Sequence, residues 1–353
     1  PWLLLSELGT RLDVPEAIEV SASLQLAGEQ GSRIRASLAT KASTIQMRQL
    51  ALAEASAPSH ALIVNAFTVP FACAAGVHRS VSLAPSSVVP AVTAVHDVHA
   101  PSADALAAEI GATSVRTLAE VTAAADVIFT VVTDDASQLG VFAEKGDSLL
   151  VGASGKTFVN CATLTPATHV EVERRARSVG AVTLEGCMAS SIPQARAGTL
   201  YLMCGGDADI FEITKPAAMA FSRAYTLMGE SGAGQLTKMV NQVCIAGLVQ
   251  ALSEAIAFGQ KAGLDMNLVL DVIGKGAAQS WQMDNRGKTM VADKFDFGFA
   301  VDWMRKDLGL VMDEAKRNGA RLPVTALVDQ FYADVQQMGG KRWDTSSLIK
   351  RLG

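Results

Sequence analysis

Cysteine is scarce in these 353 residues and carries no pattern: Cys73, Cys161, Cys187, Cys204 and Cys244 are odd in number and never fall into C-x-x-C spacing. That excludes a disulfide frame and a thiolate zinc site, and the five read as buried thiols of a reducing, cytoplasmic compartment. Charge is thin as well, at 18% of residues with a formal net charge of -5. Basic residues cluster only briefly, as in Arg174-Arg175 and Lys341-Arg342, so a nucleic-acid surface, which needs concentrated cations against phosphates, is excluded. Long apolar runs are also missing. The stretch nearest to membrane-spanning length, 61–77, is broken by Asn65 and Pro70 and lies too far from the start for a secretory signal. Pro1, not Met, opens the chain, as in a fragment or a processed product. With no visible repeat and no low-complexity tract, the 49% hydrophobic content describes a globular chain long enough for two domains, with a small molecule as its expected partner.

Residues 1–58 are rich in Ala, Ser and Leu, end near Ser56-Ala-Pro-Ser59 and show no chemistry-bearing motif, so they stand as an N-terminal extension of unassigned role. From about 92, short apolar runs alternate with helical segments at βαβ spacing. Thr93 to Asp97, Asp126 to Val132, Thr157 to Asn160, Ala181 to Glu185 and Leu200 to Met203 read as strands. Ser102 to Ile110 reads as a helix capped by Ser102 and stopped by Gly111, and another helix follows Pro166. Beyond Gly232 the strand signal vanishes. One helix is predicted from there to about Ala262, with Gly263 as its stop, and others over 265–274, 278–291, 301–318 and 323–338. The expected fold class is α/β: a doubly wound, mostly parallel Rossmann-like sheet over 59–231, then an all-helical C-terminal domain over 232–353.

Asp97, closing a predicted strand, stands where a dinucleotide fold places the carboxylate that binds the adenosine ribose, and Val98 after it offers no cation to a 2′-phosphate. That pattern favours NAD, with NADP as the alternative. An Asp that merely starts a turn is the plainer reading of the same residue. The Gly-rich turn that should precede it is absent, since Gly76 is the sole glycine between 59 and 110. Either the nucleotide half is degenerate over 59–91, or a shifted reading frame has replaced the ancestral text there, which sequencing of the coding DNA would decide. Gly155-Lys156-Thr157 lacks the upstream Gly of a P-loop and leads into a strand, so a plain turn explains it. His96 and His99 have no carboxylate cluster to complete a ligand set, and no metal site is expected.

Lys238, Asn241 and Gln242 lie within about one turn of the long predicted helix, among apolar Leu236, Met239, Val240 and Val243. Such a cluster either faces solvent or lines a polar cleft. Glu185-Gly-Cys-Met-Ala-Ser-Ser191 reads as a strand entering a loop of small residues, and Arg305-Lys306-Asp307, taken alone, as an ion-paired surface turn.

Four stretches in order resemble the β-hydroxyacid dehydrogenase family over about 92–350: Ala125 to Thr133, Asn160-Cys-Ala-Thr163 through Pro166, Ala197-Gly-Thr-Leu200 through Gly205-Gly206, and Gly232-x-Gly-x-x-x-Lys238-x-x-Asn241-Gln242. The resemblance implies an NAD(P)-dependent oxidoreductase for a small 3-hydroxy acid or its oxo or semialdehyde form. It makes Lys238 the catalytic proton donor and acceptor, with Asn241 and Gln242 orienting it and the substrate. Val132, Thr133 and Thr163 would line the cofactor, and Lys306 would close over the nicotinamide. The family's loop usually reads D-A-P-V-S-G-G, so Ala189 lacks the usual hydroxyl, and Ser190 or Ser191 would take its place against the substrate. A non-catalytic relative unable to hold a dinucleotide, and an imine reductase-like enzyme, are the competing readings. The long helix from 232 suggests subunit packing into a homodimer or homotetramer.

Overall fold

The computed structural model describes Val64–Thr68 and residues 91–353, apart from 190–193 and 196. All of these residues fall within one compact unit, His60–Gly353. The sheet comprises β1 (Val64–Thr68), β2 (Ala91–His96), β3 (Thr113–Ser114), β4 (Val127–Thr130), β5 (Thr157–Asn160), β6 (Val182–Ala189), β7 (Leu200–Gly205) and β8 (Ser222–Gly229). Its order is β3-β2-β1-β4-β5-β6-β7-β8. The pairs β2–β3, β4–β5, β5–β6 and β7–β8 are parallel. β1 runs antiparallel to both β2 and β4, and β6 antiparallel to β7, so the sheet is more mixed than the βαβ spacing alone suggests.

Among the described residues, five helices connect these strands: α1 (Ala100–Ile110), α2 (Leu118–Ala124), α3 (Asp135–Val141), α4 (Pro166–Ser178) and α5 (Ala208–Ala218). Continuous burial of β4 and β5, both apolar and short, is what a sheet covered on two faces requires. One face packs Ile128, Phe142, Phe158 and Val172 together, the other Phe129, Val159, Leu184 and Leu202. The start of α1 differs from expectation. It begins at Ala100, a turn before the anticipated cap, because Pro101 suits the first turn; His99 precedes the helix, and Ser102 lies inside it with its hydroxyl 2.8 Å from the His99 ring. Gly111 stops the helix as expected.

After the sheet come α6 (Ala233–Lys261), α7 (Met266–Ile273), α8 (Trp281–Val291), α9 (Val301–Asn318), α10 (Pro323–Gln337) and a 3-10 helix over Thr345–Leu352. By length and composition α6 could cross a membrane. Here Ala246 and Val249 pack with Met304, Leu308 and Tyr332 of α9 and α10, while Leu252 and Ile256 pack with Met266 and Met283, so α6 is the spine of the helical part. Its first turns meet the sheet, and that junction positions the site.

Candidate active site

Gly232 precedes α6 with φ 101°, a left-handed conformation that favours glycine, and it provides no capping side chain. The first-turn amides find partners elsewhere. The Gly234 N–H donates to Oε2 of Glu185 at 2.9 Å, 49 residues away on β6. A side chain at 234 would not fit: its Cβ would stand 2.7 Å from the Met203 carbonyl oxygen and 2.9 Å from that carboxylate. The second glycine of Gly232-x-Gly234 is therefore a matter of close approach. Gln235 fixes the loop after β5, accepting from the Leu164 N–H at 2.8 Å and donating to the Ala162 carbonyl at 3.0 Å.

Lys238 follows Gly234 by one turn and is 7% exposed, so the solvated-face reading fails. Burial lowers its ammonium below the ordinary lysine value, and the carboxylate of Asp307 opposes that shift. Asp307, 2% exposed on α9, accepts from Nε2 of Gln242 at 2.6 Å and pairs with the Lys306 ammonium at 2.7 Å. Lys306 also donates to the Thr163 carbonyl at 2.7 Å, joining α9 to the loop after β5. Asn241 donates to Oε1 of Gln242 at 2.8 Å. The segment 305–307 is thus no surface turn: Asp307 is enclosed, and only Arg305 has an outward ion-pair partner, Asp329. Cys187 is fully buried beside this group, with its thiol directed at the Ala162 carbonyl and held high by desolvation.

The remaining expected residues line the carboxyl ends of the strands. Asp97 follows β2; its Oδ1 accepts from the His99 N–H at 2.7 Å, while Oδ2 is buried without a partner among the described residues. Such an orphaned acceptor is what a ribose hydroxyl would satisfy, so the described residues fit a dinucleotide at this edge. Val132 packs against Ala162 and Leu164. The Thr133 hydroxyl bonds to Asp134, whose carboxyl caps α3 through the Ser137 N–H and is held below the usual carboxylate range, with Lys306 adding to the effect. Beneath this edge, Asn160 accepts from Thr130 and Gln138 and donates toward His169, whose burial lowers its ring to about 4. Ser190 and Ser191 lie outside the described residues.

Sequence reasoning missed Glu185, Gln235 and Asp307 as members of this assembly. Gln235 stands inside the glycine-rich run and could have been found there; nothing local distinguishes the two acids from surface carboxylates. The expectation of buried thiols holds for Cys161, Cys187 and Cys204 but not for Cys244, which is exposed because it occupies an outer position of α6; Cys73 lies outside the described residues. Among the described residues, no three His, Cys, Asp or Glu side chains gather into a metal-binding set.

A sheet whose carboxyl edge carries an unpartnered acid, with a buried lysine presented from an adjoining helical part, defines a dinucleotide-dependent oxidoreductase architecture. Residues 91–229 match the model of the NAD-binding domain of 6-phosphogluconate dehydrogenase, and 232–352 that described as NAD-binding of NADP-dependent 3-hydroxyisobutyrate dehydrogenase. An uncharacterized oxidoreductase of Shewanella frigidimarina is 49% identical over 229 residues, 64% of this chain and 78% of that protein. The 2-hydroxy-3-oxopropionate reductase of Escherichia coli is 32% identical over 260 residues, 73% of this chain and 89% of the other. Among solved structures, Mycobacterium tuberculosis 3-hydroxyisobutyrate dehydrogenase with L-serine aligns at TM-score 0.65 and 26% identity, covering 73% of this chain and 89% of that one. The chain belongs to the β-hydroxyacid dehydrogenase family and is an NAD(P)-dependent oxidoreductase acting on CH–OH groups.

Proposed function

We propose that the enzyme interconverts a small 3-hydroxy acid and its oxo or semialdehyde form, with Lys238 as general acid in reduction and general base in oxidation. The observation that carries this reading is the burial of Lys238 against Asp307, with Lys306 beside the same carboxylate. Asp307 pairs with Lys306 and also acts electrostatically on Lys238, so two basic side chains stand near one carboxylate, an arrangement suited to an acid substrate. The names of the relatives agree with that chemistry, since one reduces a hydroxy-oxo acid and another was solved with a 3-hydroxy amino acid.

A bound nicotinamide would supply the hydride donor or acceptor, held by Asp97 at the ribose end and by Val132, Thr133 and Thr163 along the strand termini. Lys238 donates a proton to the substrate oxygen as it gains charge and removes that proton in the reverse direction. A partly desolvated ammonium stabilises a developing alkoxide more than the neutral carbonyl, which is what lowers the barrier. Asp307 opposes the effect of burial on the amine, and Gln242 holds Asp307. Asn241 presents its amide from the same helix turn, and Ser190 or Ser191 would meet the substrate in place of the hydroxyl missing at Ala189. NAD is preferred over NADP on the ground that Val98 offers no cation. A homodimer or homotetramer packed through the long helix α6 completes the reading, and the free thiols suit the cytoplasm.

The test is steady-state turnover of a panel of small 3-hydroxy acids with NAD and with NADP, for the natural chain and for Lys238→Ala. Unchanged turnover in the variant removes the proposed role. Titration with NADH and NADPH, followed by fluorescence, separates an impaired relative: no binding of either in the millimolar range would mean that the chain has lost its cofactor. Turnover of a cyclic imine with none of any hydroxy acid would favour imine reduction.

A further inference from the structure

We infer that Glu185 is a positioning residue for Lys238, acting as the N-terminal cap that α6 does not supply for itself; the functional part of this inference rests on the reading of Lys238 given above. Gly232 precedes the helix in a left-handed conformation and contributes no side chain. The carboxylate that takes over comes from β6, receiving the Gly234 N–H at 2.9 Å, with the neighbouring amides of Gly232 and Gln235 also directed at it.

The enclosure around that carboxylate is built by glycines. A Cβ on Gly205 would stand 2.1 Å from Oε2 of Glu185 and 2.8 Å from the Gly234 nitrogen, and a Cβ on Gly234 would stand 2.9 Å from Oε2. Two backbones, from β7 and α6, thus approach closely around one side chain. Oε1 has no hydrogen-bond partner among the described residues, so every hydrogen bond identified at this carboxylate comes from Gly232 and the first turn of α6. Gly234 stands one helical turn before Lys238, and the turn pinned to the sheet is the one that sets where the amine projects. β6 repeats the connection two residues on, because Cys187, on the same strand face as Glu185, lies within electrostatic reach of both Glu185 and Lys238.

Asp is one methylene shorter and keeps the charge, which makes Glu185→Asp the conservative variant and Glu185→Gln the isosteric neutral one. The groups facing the carboxyl are Glu173 from α4, Cys204 from β7, Cys187 from its own strand and the amides of α6. Glu173 is itself occupied by Ser231 and Arg177.

The experiment compares the full chain with Glu185→Asp, Glu185→Gln and Glu185→Ala by three measurements: kcat and KM on the best hydroxy acid, the dissociation constant for NADH, and hydrogen exchange of the amides of 233–238. The expected order is kcat within about three-fold of the natural chain for Asp, about ten-fold lower for Gln and about a hundred-fold lower for Ala. NADH affinity stays within about two-fold throughout. Protection of 233–238 falls in the same order. Natural kcat in Glu185→Gln and Glu185→Ala, or a loss of NADH affinity that matches the loss of kcat, overturns the inference. If Glu185→Ala fails to fold, Glu185→Gln decides. Should the natural chain turn over no hydroxy acid, the reading of Lys238 fails by itself, and exchange at 233–238 still decides: protection retained in the variants overturns the cap, and protection lost retains it.

Discussion

Two regions of the site are held in opposite ways. At the cofactor edge Asp97 has one carboxylate oxygen engaged by a neighbouring amide and the other buried with no partner among the described residues. At the start of α6 the polar groups close on one another: Gln235 on the loop after β5, Gln242 on Asp307, Lys306 on both Asp307 and Thr163, Glu185 on the first turn of α6. The edge leaves an acceptor for a ligand to satisfy, whereas the helix has arranged its own partners in advance. Proton transfer gains from such preorganisation because a group already in place costs little reorganisation when charge develops.

The largest effect should follow from removing the amine itself. Lys238→Ala is expected to lower kcat by about a thousand-fold, the middle of the range for a general acid or base, with NADH affinity nearly unchanged. Lys238→Arg should behave similarly in the oxidation direction, since a guanidinium does not give up its proton near neutrality. Single-turnover rates with saturating cofactor check both. A large loss of cofactor affinity in either variant would move Lys238 from chemistry to binding.

The interlocked region also makes a stability prediction in which two buried groups oppose each other. Burial raises Glu185 from 4.5 to about 7, so its stabilising contribution is complete below pH 4.5 and is lost as the pH rises through about 7. Burial lowers His169 from 6.5 to about 4, so its contribution is present above pH 6.5 and is lost as the pH falls through about 4. Each shift corresponds to about 3 kcal/mol over its window. In the natural chain the two slopes offset between about pH 4.5 and 6.5. Glu185→Gln should unmask a stability that rises with pH in that interval, and His169→Gln one that falls, both read from urea midpoints at fixed ionic strength. Parallel curves for all three proteins would show that neither group titrates as burial dictates.

Much of α6 was legible in the sequence, and the reasons are local. Three polar side chains at helical spacing among Leu236, Met239 and Val240, a glycine before the start and Gly263 after the end fix both the element and its polar face. Thr157 to Asn160 and Pro166 mark β5 and α4 in the same way. β8 was missed because Ser222–Gly229 alternates half-exposed and polar residues such as Arg223 and Thr226, with no apolar run to mark it. The direction of β1 was also out of reach, since strand polarity comes from pairing and not from composition. The partners of the site were hidden for a related reason. Glu185 meets an amide 49 residues away and Gln242 meets Asp307 across 65, separations at which a buried carboxylate reads like any exposed one.

The cofactor edge should respond more mildly than the helix, and in a different constant. Asp97→Ala removes an acceptor worth about 1.5 to 3 kcal/mol when it binds as a charged group. That corresponds to a rise of about 10 to 100-fold in KM for NAD, with kcat little changed. Asp97→Ser keeps a hydroxyl and should fall between. A drop in kcat as large as the rise in KM would mean that the edge, too, takes part in organising the chemistry.

Asp307→Asn tests whether the helix side depends on charge or merely on shape. The amide is nearly the size of the carboxylate and its oxygen can still accept from Gln242, so the hydrogen-bond frame survives while the counter-charge between Lys238 and Lys306 disappears. Asp307 opposes the effect of burial on Lys238, so its neutralisation should lower that amine further. The acid limb of the oxidation rate and the basic limb of the reduction rate both report the amine, and both should move to lower pH. At pH values above the shifted limb reduction slows, because less ammonium is present to donate, while oxidation below the original limb quickens. A pH profile that only scales down, without moving, would mean that Asp307 supports the helix turn and leaves the proton affinity of Lys238 to burial alone.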